Sequence, residues 1–110
     1  MEKLPIFKDK ENAERHLIQV LEEKGVENPE ARSLLDGWTR EQEGRVKKSS
    51  DPATAAIELN LRRARLYFAA GYADEALESF ETARMQTRNE NREELYQAIM
   101  AEMNKLEAGE

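Results

Sequence analysis

Between Ala64 and Ala83 small residues recur at Ala64, Gly71, Ala76 and Ala83, with Tyr67 and Phe80 set between them. No other feature of the chain constrains its fold as much. Where a helix carries a small residue opposite a large one, the two backbones approach closely and the ring fills the space beside the slot. Gly71 takes a left-handed conformation without penalty, so Gly71-Tyr72 predicts a tight turn between two short helices pressed together at alanines.

Four further stretches carry the same period. From about Asp9 to Lys24, Ala13, Leu17, Val20 and Leu21 share one face, and Gly25 is the expected stop. Asn28-Pro29 opens a second helix, because asparagine caps free amides and proline fits the first turn. Its stripe is Ala31, Leu34, Leu35 and Trp38, with Val46 as a candidate extension, and Gly37 and Gly44 weaken its later turns. Lys47-Lys48-Ser49-Ser50 reads as a loop. Asp51-Pro52 repeats the cap-plus-proline signal for a third helix that runs to Ala70. The fourth spans about Ala73 to Thr87 and buries Ala76, Leu77, Phe80 and Ala83. Arg88-Asn89-Glu90 reads as a turn, and Asn91 with Glu94 as a capping box for a fifth helix. That helix shows Leu95, Ala98, Ile99, Met103 and Leu106 on one face. No segment alternates as a strand does, so the expected fold class is all-α, with five helices in antiparallel hairpins.

The segment around the alanines resembles a tetratricopeptide repeat, a helical-pair unit of about 34 residues. Ala64, Tyr67, Gly71, Ala76, Phe80 and Ala83 match its pattern of small and aromatic residues. Leu61 and Leu95, and Ala64 and Ala98, stand one repeat apart, so the fifth helix reads as a second unit that caps the stack. The resemblance covers about Ile57 to Leu106, roughly one and a half repeats. The chain departs from the family at four places. Its aromatic before the acidic pair is displaced to Tyr72, leaving Ala73. Asn60 and Arg63 replace large apolar residues, and Arg88 stands near the expected proline. The expected organisation is a single domain over 1–110: an N-terminal helical pair in 1–50, then the repeat-like helices and capping helix in 51–110.

Composition closes several routes. The 110 residues are enough for one core, 36% are charged, and 39% are apolar, the profile of a charged, helix-rich soluble protein. Without cysteine there is no disulfide, thiolate metal site or cysteine nucleophile. Met1 to Phe7 lacks a basic region followed by an apolar run, and no stretch approaches the ~20 apolar residues of a membrane helix, so a cytoplasmic protein is expected. Net charge is −6, yet Arg40 to Arg65 carries seven Lys/Arg against four acids. A basic band thus lies between two acidic ends.

Glu22-Glu23, Asp74-Glu75 and Glu93-Glu94 are sequence neighbours, so each pair points to different sides of a helix and reads as a solvated face or a helix-start pair. No glycine-rich phosphate loop, nucleophile elbow or metal motif occurs. The only histidine, His16, has Asn12, Ala13, Gln19 and Val20 one turn away, which is no ligand set. The chain is therefore expected to be no enzyme and to need no cofactor or metal.

Through the resemblance, the first helix of each pair lines a concave face that places Leu61, Arg62, Arg65 and Phe68 beside Arg92, Leu95, Tyr96 and Ile99. The implied function is a non-catalytic adaptor that holds a protein or peptide, anionic by the chemistry of those arginines. The alternative is a structural homo-oligomer, a homodimer in its simplest form. In it Leu95, Ile99 and Met103 face a second copy. Nucleic-acid binding by Lys47, Lys48, Arg62, Arg63 and Arg65 is the weaker reading, since the whole chain is acidic. Trp38 reads as a core residue linking the first helices to the repeat.

Overall fold

The computed structural model describes residues 10–108. The expected helix start at Asp9 and the Met1–Phe7 segment lie outside that range. Five helices follow in order: α1 Lys10–Lys24, α2 Pro29–Lys48, α3 Pro52–Ala69, α4 Ala73–Asn89 and α5 Glu93–Glu107. There is no strand among the described residues, and the all-α class is as the sequence predicts. Connections of three or four residues turn each helix back along its predecessor.

Local chemistry explains most boundaries. The Asn28 carboxamide oxygen accepts from the Glu30 and Ala31 amides at 2.9 and 3.1 Å, with Pro29 following. Asp51 caps α3 by accepting from the Thr54 amide at 3.3 Å and its hydroxyl at 2.7 Å. Gly71 sits at φ +93° and closes α3 with two bonds, Tyr72 N–H to Tyr67 C=O and Gly71 N–H to Phe68 C=O. The α4–α5 turn is built identically. Arg92 N–H donates to Thr87 C=O and Asn91 N–H to Arg88 C=O, with Asn91 at φ +57°.

That second turn corrects the expected start of α5. Asn91 is the left-handed residue that ends α4, and Arg92 occupies the N-cap without a side-chain cap. Arg88 and Asn89 accordingly belong to α4. Lys47 and Lys48 belong to α2, which tolerates Gly37 and Gly44 because later turns are held by packing at Gln42 and Val46. Leu34 is exposed, Leu77 is only half-buried, and Ala98 faces solvent even though Ala64, its expected counterpart 34 residues earlier, is fully buried. Ala64 has α4 laid over it, whereas the α5 backbone comes close to that of α4 alone and Ala98 lies off that contact.

α3 is shared by two hydrophobic clusters. Leu59, Leu66 and Ala70 join Leu17, Val20 and Leu21 of α1 and Ala31, Leu35 and Trp38 of α2. Ile57, Leu61 and Ala64 join Phe80 and Ala83 of α4 and Ile99 of α5, with Leu95, Met103 and Leu106 half-buried against them. Ala64, Ala76, Phe80 and Ala83 are all fully buried, the close helix approach their sizes predict. Trp38 lies in the core between α2 and α3, as expected.

Two buried polar residues escaped the apolar pattern. Gln42 accepts from the Arg62 guanidinium, and the Thr87 hydroxyl donates to Arg84 C=O at 2.6 Å. Tyr72 has a structural task of its own. Its hydroxyl donates to Leu21 C=O at 3.2 Å and accepts from Val26 N–H at 3.1 Å, which joins the α3–α4 turn to the α1–α2 turn. Asn60 donates to Gln86 at 2.9 Å, so a polar pair spans the α3–α4 seam.

Candidate partner-binding face

α3 and α5 lie on one side of α4, as the Arg65–Glu102 pair demonstrates by spanning them. Arg65 holds both carboxylate oxygens of Glu102 at 2.9 Å in a forked arrangement. That bond raises the Arg65 pKa above its ordinary value, against the opposing effect of burial. Phe68, one turn further along α3, is 41% exposed.

The other arginines of the expected face are engaged elsewhere. Arg62 turns toward the N-terminal helices: its Nε donates to Glu14 at 3.2 Å, another nitrogen donates to Gln42, and its guanidinium lies 5.8 Å from the Trp38 ring centre. The Trp38 indole N–H has no partner. Arg92 reaches Asp51 at the start of α3, at 2.9 Å. The Asp51 carboxyl sits below its ordinary pKa, first through the Thr54 hydroxyl and then through Arg92. Arg62, Arg65 and Arg92 thus each hold a different carboxylate and do not converge on one point.

Leu61 and Ile99 lie beneath the surface in the second cluster, and Leu95 is half-buried on it. Tyr96 is half-buried too. Its hydroxyl accepts from Arg84 at 3.1 Å, and Arg84 also lies over its ring and pairs with Glu81. Arg84 is driven to a higher pKa, mainly by Glu81 and then by Tyr96. Arg92 and Tyr96 border an open crevice of about 610 Å³ at the α4–α5 turn, together with Thr87, Arg88, Asn91 and Glu93.

Glu14, Glu102 and Asp51 were not foreseen as partners of these arginines. They stand 48, 37 and 41 residues away in sequence, and no short spacing signals such pairs. The one available hint was coarse: acidic ends flank a basic middle.

No group of three or more His, Asp or Glu side chains that could hold a metal occurs among the described residues. No described helix is long and apolar enough to cross a membrane. No family model, curated protein or solved structure matches the chain.

Proposed function

We propose that the protein is a non-catalytic interaction module, a short stack of tetratricopeptide type whose α3/α5 face takes a peptide or protein partner. One observation carries this reading. The α3–α4 and α4–α5 connections are the same three-residue turn; fully buried alanines draw α3 and α4 together, and Ile99 of α5 joins the same cluster. Repeat stacks are assembled through such turns, with their first helices on one side, and this supports the reading. On that side Arg65, Phe68, Arg92 and Tyr96 offer guanidinium and aromatic groups to a partner, with Leu61 and Ile99 as their support. The surface pairs Arg65–Glu102 and Arg92–Asp51 cost little to exchange for a ligand carboxylate, since exposed ion pairs contribute about 0–1 kcal/mol.

The test is titration of an acidic peptide by fluorescence anisotropy. Saturable binding that falls about tenfold in Arg65→Glu and Phe68→Ala, with unchanged helical content, supports the reading. Binding that ignores both changes removes it. A homo-oligomer is the second reading, favoured by the half-buried Leu95, Met103 and Leu106 on the last helix, whose backbone comes close to that of α4 alone. Light scattering across a wide concentration range separates the two: a stable dimer that Leu95→Asp dissociates supports self-association, and a monomer throughout ends it.

A further inference from the structure

Gln42 is buried on α2, only 4% exposed, yet its hydrogen bonding is incomplete. Its carboxamide oxygen accepts from Arg62, and no described residue accepts from its nitrogen, which carries two hydrogens to donate. One turn earlier on the same side of the helix, the Trp38 indole N–H is buried with no acceptor either. Buried polar groups are nearly always paired, so two idle donors on one stretch of α2 call for an acceptor.

Gln42 comes to the surface in an open groove of about 180 Å³ between the end of α2 and the first turns of α3. Arg45 and Val46 lie beside it in the lining, with Glu58, Leu59 and Arg62 contributed by α3. Arg62 gives its Nε to Glu14 and one terminal nitrogen to Gln42, which leaves the other terminal nitrogen unspent. Glu58 is the one acid of this lining and is exposed, whereas Gln42 is buried and Arg62 half-buried. The covered part of the groove therefore offers N–H groups and the aliphatic carbons of Val46 and Leu59, and is short of acceptors. A carboxylate meets that need, because it takes several N–H bonds at once and binds a guanidinium about twice as strongly as a neutral acceptor does. Small-molecule sites usually enclose about 300–1,000 Å³, so a groove of this size suits the tip of a larger molecule.

We propose that this groove receives the carboxylate of an aspartate or glutamate side chain from a partner protein. The Gln42 nitrogen and the unspent nitrogen of Arg62 hold its oxygens, the exposed Arg45 offsets its charge, and its stem rests on Val46 and Leu59. The groove belongs to α2 and α3, and the proposal does not depend on the α3/α5 reading.

The probe is a tripeptide with glutamate between two glycines, blocked at both ends, titrated at low salt into the isotope-labelled full chain and followed by nuclear magnetic resonance. Trp38 is the only tryptophan, so its indole N–H gives a single signal, and loss of one side-chain amide in Gln42→Glu identifies that of Gln42. Saturable shifts are expected at the Gln42 amide and at the Trp38 indole, over whose ring Arg62 lies. A tripeptide with glutamine in place of glutamate is expected to bind about tenfold more weakly. Equal binding would mean that the groove reads a neutral carbonyl, and would overturn the proposal. Gln42→Glu keeps an oxygen for Arg62 but replaces the N–H donors by a like charge. With helical content unchanged, it is expected to weaken binding about tenfold at the Trp38 signal, and Arg45→Gln, at an exposed position, is expected to weaken it as well. Gln19→Glu makes the same change in net charge on the exposed side of α1 and is expected to leave binding intact. Equal weakening by Gln19→Glu, or no saturable shift in wild type, would overturn the proposal. Arg65 and Phe68, whose variants decide the α3/α5 reading, do not line this groove, so either reading can fail alone.

Discussion

Gly71 and Asn91 occupy the same position in two equivalent turns, both with positive φ. Glycine enters that region freely, and asparagine is one of the few other residues to do so at small cost. Asn91→Gly is expected to be neutral or slightly stabilising in urea denaturation, whereas Asn91→Val costs about 1–2 kcal/mol by forcing a branched side chain into left-handed backbone. Equal stability of all three would show that the turn does not need this conformation. The sequence misdirected here for a physical reason. Asparagine suits both the end of one helix and the start of the next, and Glu94 completes a capping box by spacing alone. Asn28 and Asp51 were legible because proline follows each and fixes which helix they serve.

Asp51 also carries a pH dependence. Its folded-state pKa lies below the ordinary 3.8, through Thr54 and then Arg92. The unfolded chain therefore takes up the proton first. The stabilisation is present above the unfolded value and is lost as pH falls through the folded one. A melting-temperature series from pH 6 down to about 2.5 is expected to fall more steeply in wild type than in Asp51→Asn, which keeps a cap without a titrating group. Parallel curves would remove Asp51 from the acid response.

At the scale of elements, α3 decides the architecture because it is buried on two flanks. Its alanine side was legible, since Ala64 belongs to a small-large pattern shared with α4. Its other side, Leu59 and Leu66, was not, because a helix covered twice no longer has a single apolar stripe. The same cause separates Arg62 from Arg65. Three residues apart, they share a side of an isolated helix, but with neighbours on both flanks one is drawn to Glu14 and the other to Glu102. Leu66→Ala and Leu61→Ala empty different clusters and are each expected to cost about 2–5 kcal/mol in chemical denaturation. A small loss at either position would mean that its cluster can collapse around the cavity.

Across the whole molecule, the acidic ends fold back on the basic middle: Glu14 from the first helix and Glu102 from the last neutralise Arg62 and Arg65. Composition displayed the bands, but only the folding of α1 and α5 back beside α3 decides which charges meet. The single tryptophan, Trp38, sits in the first cluster, while far-UV circular dichroism reads all helices. Because α3 serves both clusters, the two signals are expected to give one coincident urea transition, and Leu66→Ala is expected to move both together. Separate midpoints would divide the chain into two independently unfolding halves.

The Tyr72 hydroxyl adds an order in time. Val26 in the α1–α2 turn donates to, and Leu21 in α1 accepts from, the hydroxyl of a residue made 46 and 51 positions later. While the polypeptide is being synthesised, its opening hairpin must wait for the third helix and the turn beyond it before that corner can be sealed. A fragment cut between α2 and α3 lacks the residue that finishes its own fold, however complete its two helices are.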